Sequence, residues 1–191
     1  MIELYTIGHS TRTIDEFLAI LKEFQIALLA DVRSLPGSGK FPHFNQESLQ
    51  LDLRQADIDY VWMPQLGGRR RGAKGFESPN VGLRSLSFRH YADYMLSEDF
   101  REGIDRLVEL AGRSRAAFMC AEAVYWRCHR RLISDYLVTH GANARHIMGR
   151  RSIRPHVLTP GLEVQANGSL VYLPTGPSVQ EESRQAAGAG R

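Results

Sequence analysis

The sequence predicts a three-layer α/β domain: a mainly parallel sheet of about five strands with helices on both faces, followed by a C-terminal β-hairpin. Three observations carry this expectation. Short apolar runs alternate with stretches of helical spacing from residue 2 to residue 148. The run Ile26-Ala27-Leu28-Leu29-Ala30 is continuously apolar up to Asp31, the pattern of a strand covered on both faces of a parallel sheet. Near the end, Glu163-Val164-Gln165 and Leu170-Val171-Tyr172 flank Asn167-Gly168, a pair that favours the backbone of a tight hairpin turn.

Taken in order, Ile2 to Ile7 reads as a first strand and Gly8-His9-Ser10 as the loop that follows it. Thr13 and Glu16 have capping-box spacing, and Ile14, Phe17, Leu18, Leu21 and Phe24 recur on one helical face. The Ile26 run is the second strand, Asn45 a helix cap, and Ile58 to Met63 a third strand with β-branched and aromatic residues. Gln65 to Ser87 contains Gly67-Gly68, Arg69-Arg70-Arg71 and Lys74 without periodicity and reads as a basic flap. Helical spacing returns at Phe88 to Leu96 and at Phe100 to Ala111. Ala116 to Cys120 is a fourth strand, and Leu132, Ile133, Tyr136 and Leu137 mark a helix that Gly141 terminates. Ala144 to Met148 is the fifth strand. One domain is expected over residues 1–174, with residues 175–191, rich in Gly, Ala, Ser and Gln, as a disordered tail.

Composition narrows the function classes. Of 191 residues, 43% are hydrophobic and 24% charged, and no apolar run approaches the roughly 20 residues that span a bilayer. A membrane partner is therefore not expected. The N-terminus runs straight into Ile2 to Ile7 without the basic and long apolar segments of a secretory signal, so the expected location is the cytoplasm. In a reducing compartment the two cysteines, Cys120 and Cys128, are free, catalytic or metal-binding rather than a structural disulfide. The net charge is only +3, but the arginines are clustered, which favours anionic partners.

Polar motifs fall where parallel sheets place ligands, outside the carboxyl ends of strands. Strand one ends in Gly8-His9-Ser10, strand two in Asp31-Val32-Arg33-Ser34 and strand four in Cys120-Ala121-Glu122. If these strands are neighbours, the three motifs meet. Arg127, Arg130 and Arg131 crowd the start of a helix, where the macrodipole disfavours positive charge, and a bound anion would resolve that conflict. Ser10, Arg33, Ser34, Arg127, Cys128, His129 and Arg130 are accordingly expected to contact an anion. Cys120, at a strand end near these arginines, is the candidate nucleophile, with Glu122, His9 and Asp31 handling protons. The plainer alternatives are that the cysteines pack, that Ser10 and Ser34 are local turn residues, and that Glu122 and Asp135 pair with the arginines.

Two further readings stay open. Arg69, Arg70, Arg71 and Lys74 have the charge density to follow a nucleic-acid backbone, although a solvated loop has the same composition. Cys120, Cys128 and His129, with His9 or His43 as a fourth ligand, offer zinc-binding atoms without matching a standard zinc spacing; no other cofactor is expected.

The whole set of motifs resembles a known family, the bacterial and archaeal proteins grouped as domain of unknown function 488. The residues that carry the resemblance are Thr6-Ile7-Gly8-His9-Ser10, Asp31-Val32-Arg33-Ser34 with Pro36 and Ser38, Phe44-Asn45, Leu66-Gly67-Gly68, Tyr91-Ala92, Cys120-Ala121-Glu122, Cys128-His129-Arg130, His146-Ile147 and Leu158-Thr159. The resemblance spans residues 2–160 and implies a Rossmann-like α/β sheet but no particular reaction. From the residues themselves, the expected function is an enzyme acting on a phosphate-bearing substrate, a nucleotide or nucleic acid, at an arginine-rich anion pocket with a cysteine nucleophile. The alternatives are a non-catalytic nucleotide or nucleic-acid binding module, and a metal-binding protein that uses Cys120, Cys128 and His129.

Overall fold

The computed structural model describes residues 2–176. Six strands form one sheet in the order β3-β2-β4-β1-β5-β6. They are β1 (Glu3–Gly8), β2 (Leu28–Asp31), β3 (Asp59–Trp62), β4 (Ala116–Cys120), β5 (Asn143–Gly149) and β6 (Ser152–Pro155). The first five are parallel, and β6 runs antiparallel to β5. The expected hairpin is present as β7 (Leu162–Val164) and β8 (Leu170–Tyr172), with Gly168 at φ +81° in the turn. The expected tail falls largely outside the described residues; Thr175 and Gly176 are exposed and irregular.

The helices are α1 (Ile14–Glu23), α2 (Gln46–Gln55), α3 (Leu86–Tyr94), α4 (Glu98–Arg113) and α5 (Arg130–Thr139). In α1 the capping box forms in full: the Thr13 hydroxyl accepts from the Glu16 N–H, and the Glu16 carboxylate accepts from the Thr13 N–H. A cap of this kind contributes about 1 kcal/mol. Asn45 is the N-cap of α2 by position only. Its side chain accepts from the Ser38 N–H and so ties down the preceding loop.

Strand alternation divides the core into two layers. Leu4, Leu28, Ala30, Ala116 and Phe118 face α3, α4 and α5, while Tyr5, Ile7, Leu29, Ala117 and Met119 face α1 and α2. Both faces of β1, β2 and β4 are therefore covered, which is why these strands read as continuous apolar runs. Leu170 and Tyr172 add the hairpin to the α3–α5 layer. The short, polar β6 was not anticipated: Ser-Ile-Arg-Pro has no alternation to read, and the turn before it depends on Arg151 at φ +53°.

The strand order positions the site. Chain leaving β2 passes to α2 on one face, and chain leaving β4 passes to α5 on the other. The two connections diverge from adjacent strands, and such a switch point opens a crevice above their carboxyl ends. The Gln65–Ser87 segment crosses this region and is anchored on either side of an exposed stretch at residues 71–77. Arg70 donates to the carbonyls of Pro64, Gln65 and Gly67 and stacks 3.5 Å from the Tyr94 ring centre. The Asn80 side chain donates to Asp93 and accepts from the Tyr172 N–H.

Candidate active site: a cysteine–histidine cluster in a basic cleft

Strands β2, β4 and β1 are adjacent, so the three polar motifs do meet. They border an open cleft of about 750 Å³ to which His9, Ser10, Arg33, Ser34, Cys120 and Glu122 contribute. Arg127, Cys128 and His129 close it from the segment leading into α5, and Arg69 is the one residue of the basic flap cluster that borders it. Asp31 and Arg130 are buried beneath the cleft rather than on its wall. Arg70 is held by Tyr94, while Arg71 and Lys74 are exposed away from the cleft lining.

On the β2 side, Asp31 and Arg33 form a buried ion pair. Arg33 Nε donates to Asp31 Oδ1 at 2.8 Å and a terminal nitrogen to Oδ2 at 2.5 Å; the Tyr60 hydroxyl donates to the same Oδ2 at 2.8 Å. The other terminal nitrogen of Arg33 donates to the Phe44 carbonyl at 2.8 Å. Burial lowers the Arg33 pKa, but the bonds and charge of Asp31 more than offset this, so the guanidinium is held charged and internally satisfied. Tyr60, 2.8 Å from that carboxylate, is pushed up by burial and by Asp31 and stays a phenol.

His9 is also occupied. Its Nδ1 lies 3.0 Å from the Ser10 carbonyl, which can only accept, so Nδ1 carries the proton and Nε2 faces the Arg33 guanidinium at 3.4 Å. Burial and the Arg33 charge lower its pKa to about 4. His9 is thus a neutral ring stacked 4.2 Å from Phe44, with both nitrogens engaged.

On the β4 side, Cys120, Cys128 and His129 place their sulfurs and a ring nitrogen within 4.8 Å of one another. His129 Nε2 is 3.1 Å from the Val32 carbonyl and must donate to it. This directs Nδ1 at Cys128 Sγ, 3.5 Å away, and Cys120 Sγ, 3.9 Å away. Burial raises the Cys128 thiol, but neighbouring Cys120, the His129 ring and Arg130 together bring it well below its usual value. Cys120 is pushed up, first by neighbouring Cys128 and then by burial. Position along the chain had pointed to Cys120 as the nucleophile; the structure sets both sulfurs against the same imidazole nitrogen.

Two glycines permit this approach. A Cβ on Gly68 would lie 2.4 Å from His129 Nδ1, and one on Gly8 would lie 1.8 Å from the Glu122 carbonyl oxygen. That carbonyl accepts from Arg130 at 2.6 Å.

Behind the cluster runs a buried chain of hydrogen bonds that the sequence did not reveal as a unit. Arg130 Nε donates to Cys128 Sγ at 3.5 Å, and a terminal nitrogen donates to Thr6 Oγ1 at 3.2 Å. Thr6 bonds His146 Nδ1, His146 Nε2 bonds His156 Nδ1, each at 2.9 Å, and His156 Nε2 bonds Asp135 Oδ1 at 2.8 Å. Asp135 can only accept and Arg130 can only donate, so a single direction satisfies every member: each histidine carries its proton on Nε2, and Thr6 donates to His146. Tyr125 stacks flat on His146 with ring centres 3.4 Å apart. Burial, reinforced by His156 and Arg130, lowers His146 to about 3, so it is neutral. The available signal was a polar residue at an inward position of an apolar strand, Thr6 beside Leu4 and His146 beside Ala144. Nothing in the spacing says that the two touch.

The cations that remain free for an external anion are Lys40, Arg69 and Arg127, all exposed and all on the cleft. None of them takes part in a salt bridge among the described residues. Lys40 was not among the residues expected at the site. The helix-start crowding resolves differently for each arginine: Arg130 turns inward, Arg131 donates to Thr159, and Arg127 faces the cleft.

Among the described residues, no helix is long and apolar enough to cross a membrane. Neither curated proteins nor solved structures give a significant match to the chain. A family model described as "Domain of unknown function DUF488" matches residues 13–137, which is more than half of the 191 residues and includes the second-strand motif and the cysteine–histidine cluster. The chain belongs to the DUF488 family.

Proposed function

We propose that the protein is an enzyme acting on a phosphate-bearing substrate, a nucleotide or a nucleic-acid end, with the reaction at the Cys120–Cys128–His129 cluster. The observation that carries this reading is the pairing of a reactive floor with a basic rim: the cluster borders the same cleft as Lys40, Arg69 and Arg127. At about 750 Å³ the cleft is within the usual range for small-molecule sites. The three rim cations would hold phosphate oxygens, while Arg33 and Arg130, already committed to internal partners, would shape the floor instead. Exposed Glu122 at the edge is the group best placed to exchange protons with solvent.

A binding module without turnover is the second reading, and the 3% exposure of Cys128 favours it. One experiment separates the two. Wild type and a Lys40→Ala/Arg69→Ala/Arg127→Ala variant are titrated with mononucleotides and short oligonucleotides at several salt concentrations, and the mixtures are analysed for products. The expected results are affinity that falls as salt rises, a loss of about tenfold or more in the variant, and product formation that Cys128→Ser abolishes. Salt-independent binding, or none, overturns the phosphate reading; binding without product leaves the module.

A further inference from the structure

We infer that Cys120, Cys128 and His129 form a three-ligand centre for a soft divalent cation, zinc foremost, whose fourth position opens onto the cleft. Tetrahedral zinc with bonds of about 2.3 Å to sulfur and 2.0 Å to nitrogen sets its ligand atoms about 3.5 Å apart for a sulfur–nitrogen pair. The cluster has Cys128 Sγ at 3.5 Å and Cys120 Sγ at 3.9 Å from His129 Nδ1, with all three atoms within 4.8 Å of one another. Small side-chain rotations bring them to bonding distance.

The surroundings are those of a ligand set rather than of packed thiols. The Val32 carbonyl holds the proton on His129 Nε2, so the lone pair of Nδ1 faces the sulfurs, the outer-shell arrangement found at metal-bound histidines. Cys128 Sγ also has an N–H donor in Arg130 Nε at 3.5 Å. Two thiolates, a neutral imidazole and a divalent cation sum to zero charge, which suits a buried position. Arg130 is bonded separately to Thr6 Oγ1 and to the Glu122 carbonyl.

The fourth position follows by elimination. His9 has both nitrogens engaged, and among the described residues the set of ligand atoms within 4.8 Å of one another holds only Cys120, Cys128 and His129, so neither His9 nor His43 completes it. Three protein ligands with an open position mark a catalytic rather than a structural zinc site. Here that position takes water or a substrate oxygen, and the cation polarises it. This use of the fourth position rests on the proposed reading of the cleft; the ligand assignment does not.

The test is metal content and cobalt spectroscopy of the full chain, produced with added zinc and purified reduced without chelators. The expected result is about one zinc per chain, and on exchange with Co²⁺ a thiolate-to-cobalt charge-transfer band with the visible bands of a tetrahedral site. Cys128→Ser and Cys120→Ser should each weaken binding at least tenfold, while His43→Gln keeps the full complement. Because the serine variants are exposed to misfolding, zinc is also titrated into stripped wild type, where it should raise the melting temperature in step with occupancy. Substoichiometric zinc with no charge-transfer band in folded wild type, or undiminished binding in folded Cys128→Ser, overturns the inference. Metal uptake without nucleotide binding would keep the centre and sink the substrate reading; nucleotide binding by a protein that takes no metal would do the reverse.

Discussion

Asp135 is the position at which the buried network behind the site is most exposed to attack by mutation. Its carboxylate is fully buried and accepts four hydrogen bonds: from His156 Nε2 at 2.8 Å, the Thr159 N–H at 2.9 Å, the Thr159 hydroxyl at 2.6 Å and the Tyr172 hydroxyl at 3.0 Å. Asp135→Ala leaves these donors facing a cavity. Bonds to a charged group contribute about 1.5–3 kcal/mol each. Because the members act as one network, the costs overlap and the expected loss is about 4–6 kcal/mol. That is a large share of the roughly 5–15 kcal/mol that stabilises a domain. Asp135→Asn behaves differently. Its amide oxygen can still accept from His156 and the Thr159 N–H, and the two hydroxyls can rotate to accept from its NH₂, so only the charge is lost, for about 1–2 kcal/mol. The assay is urea unfolding of the three proteins followed by circular dichroism. An Asp135→Ala variant within about 1 kcal/mol of wild type would refute the reasoning, as would an Asn variant as damaged as the Ala one.

Two further outcomes are expected. His9 and His146 are lowered to about 4 and about 3 from an ordinary 6.5, so below pH 6.5 the unfolded chain binds protons that the folded one does not. Stability should therefore fall as the pH drops from 6.5 to 4, by about 3 kcal/mol for His9 alone, and denaturant midpoints that stay flat over that window would contradict the assignment. Gly68→Ala drives a methyl group to 2.4 Å from His129 Nδ1 and should cost about 1–3 kcal/mol, whereas Gly37→Ala, with nothing within 4 Å, should be neutral; equal melting temperatures for the two variants would show that the ring simply yields.

How much of this was legible depended on how far apart the interacting residues lie. The first helix was readable because the Thr13–Glu16 box and the Phe17–Leu21 face are local, and both appear in place. Strands β2 and β4 were readable from their apolar runs, and the polar motifs at their ends marked the rim of the cleft before any pairing was known. The third strand was placed one residue too long at each end, at Ile58 and Met63, because both are buried apolar neighbours of the strand and look like part of it. The chain from Arg130 to Asp135 was illegible: Thr6 and His146 are 140 positions apart, and their bond depends on β1 pairing with β5.

The sequence by itself determined the α/β alternation, the hairpin turn at Asn167-Gly168 and the placing of polar residues at strand ends, because propensity, capping and periodicity act over a few residues. Tertiary structure alone decided which of those residues meet. Strand order set β2, β4 and β1 side by side, and the loop between Cys120 and Cys128 folded back so that two sulfurs share one imidazole nitrogen. It also turned Arg33 and Arg130 inward and left Lys40, Arg69 and Arg127 on the cleft, since a buried guanidinium persists only where carboxylates and carbonyls satisfy it. The distances among these groups come from strand order and crossover packing, and no short stretch of sequence contains them.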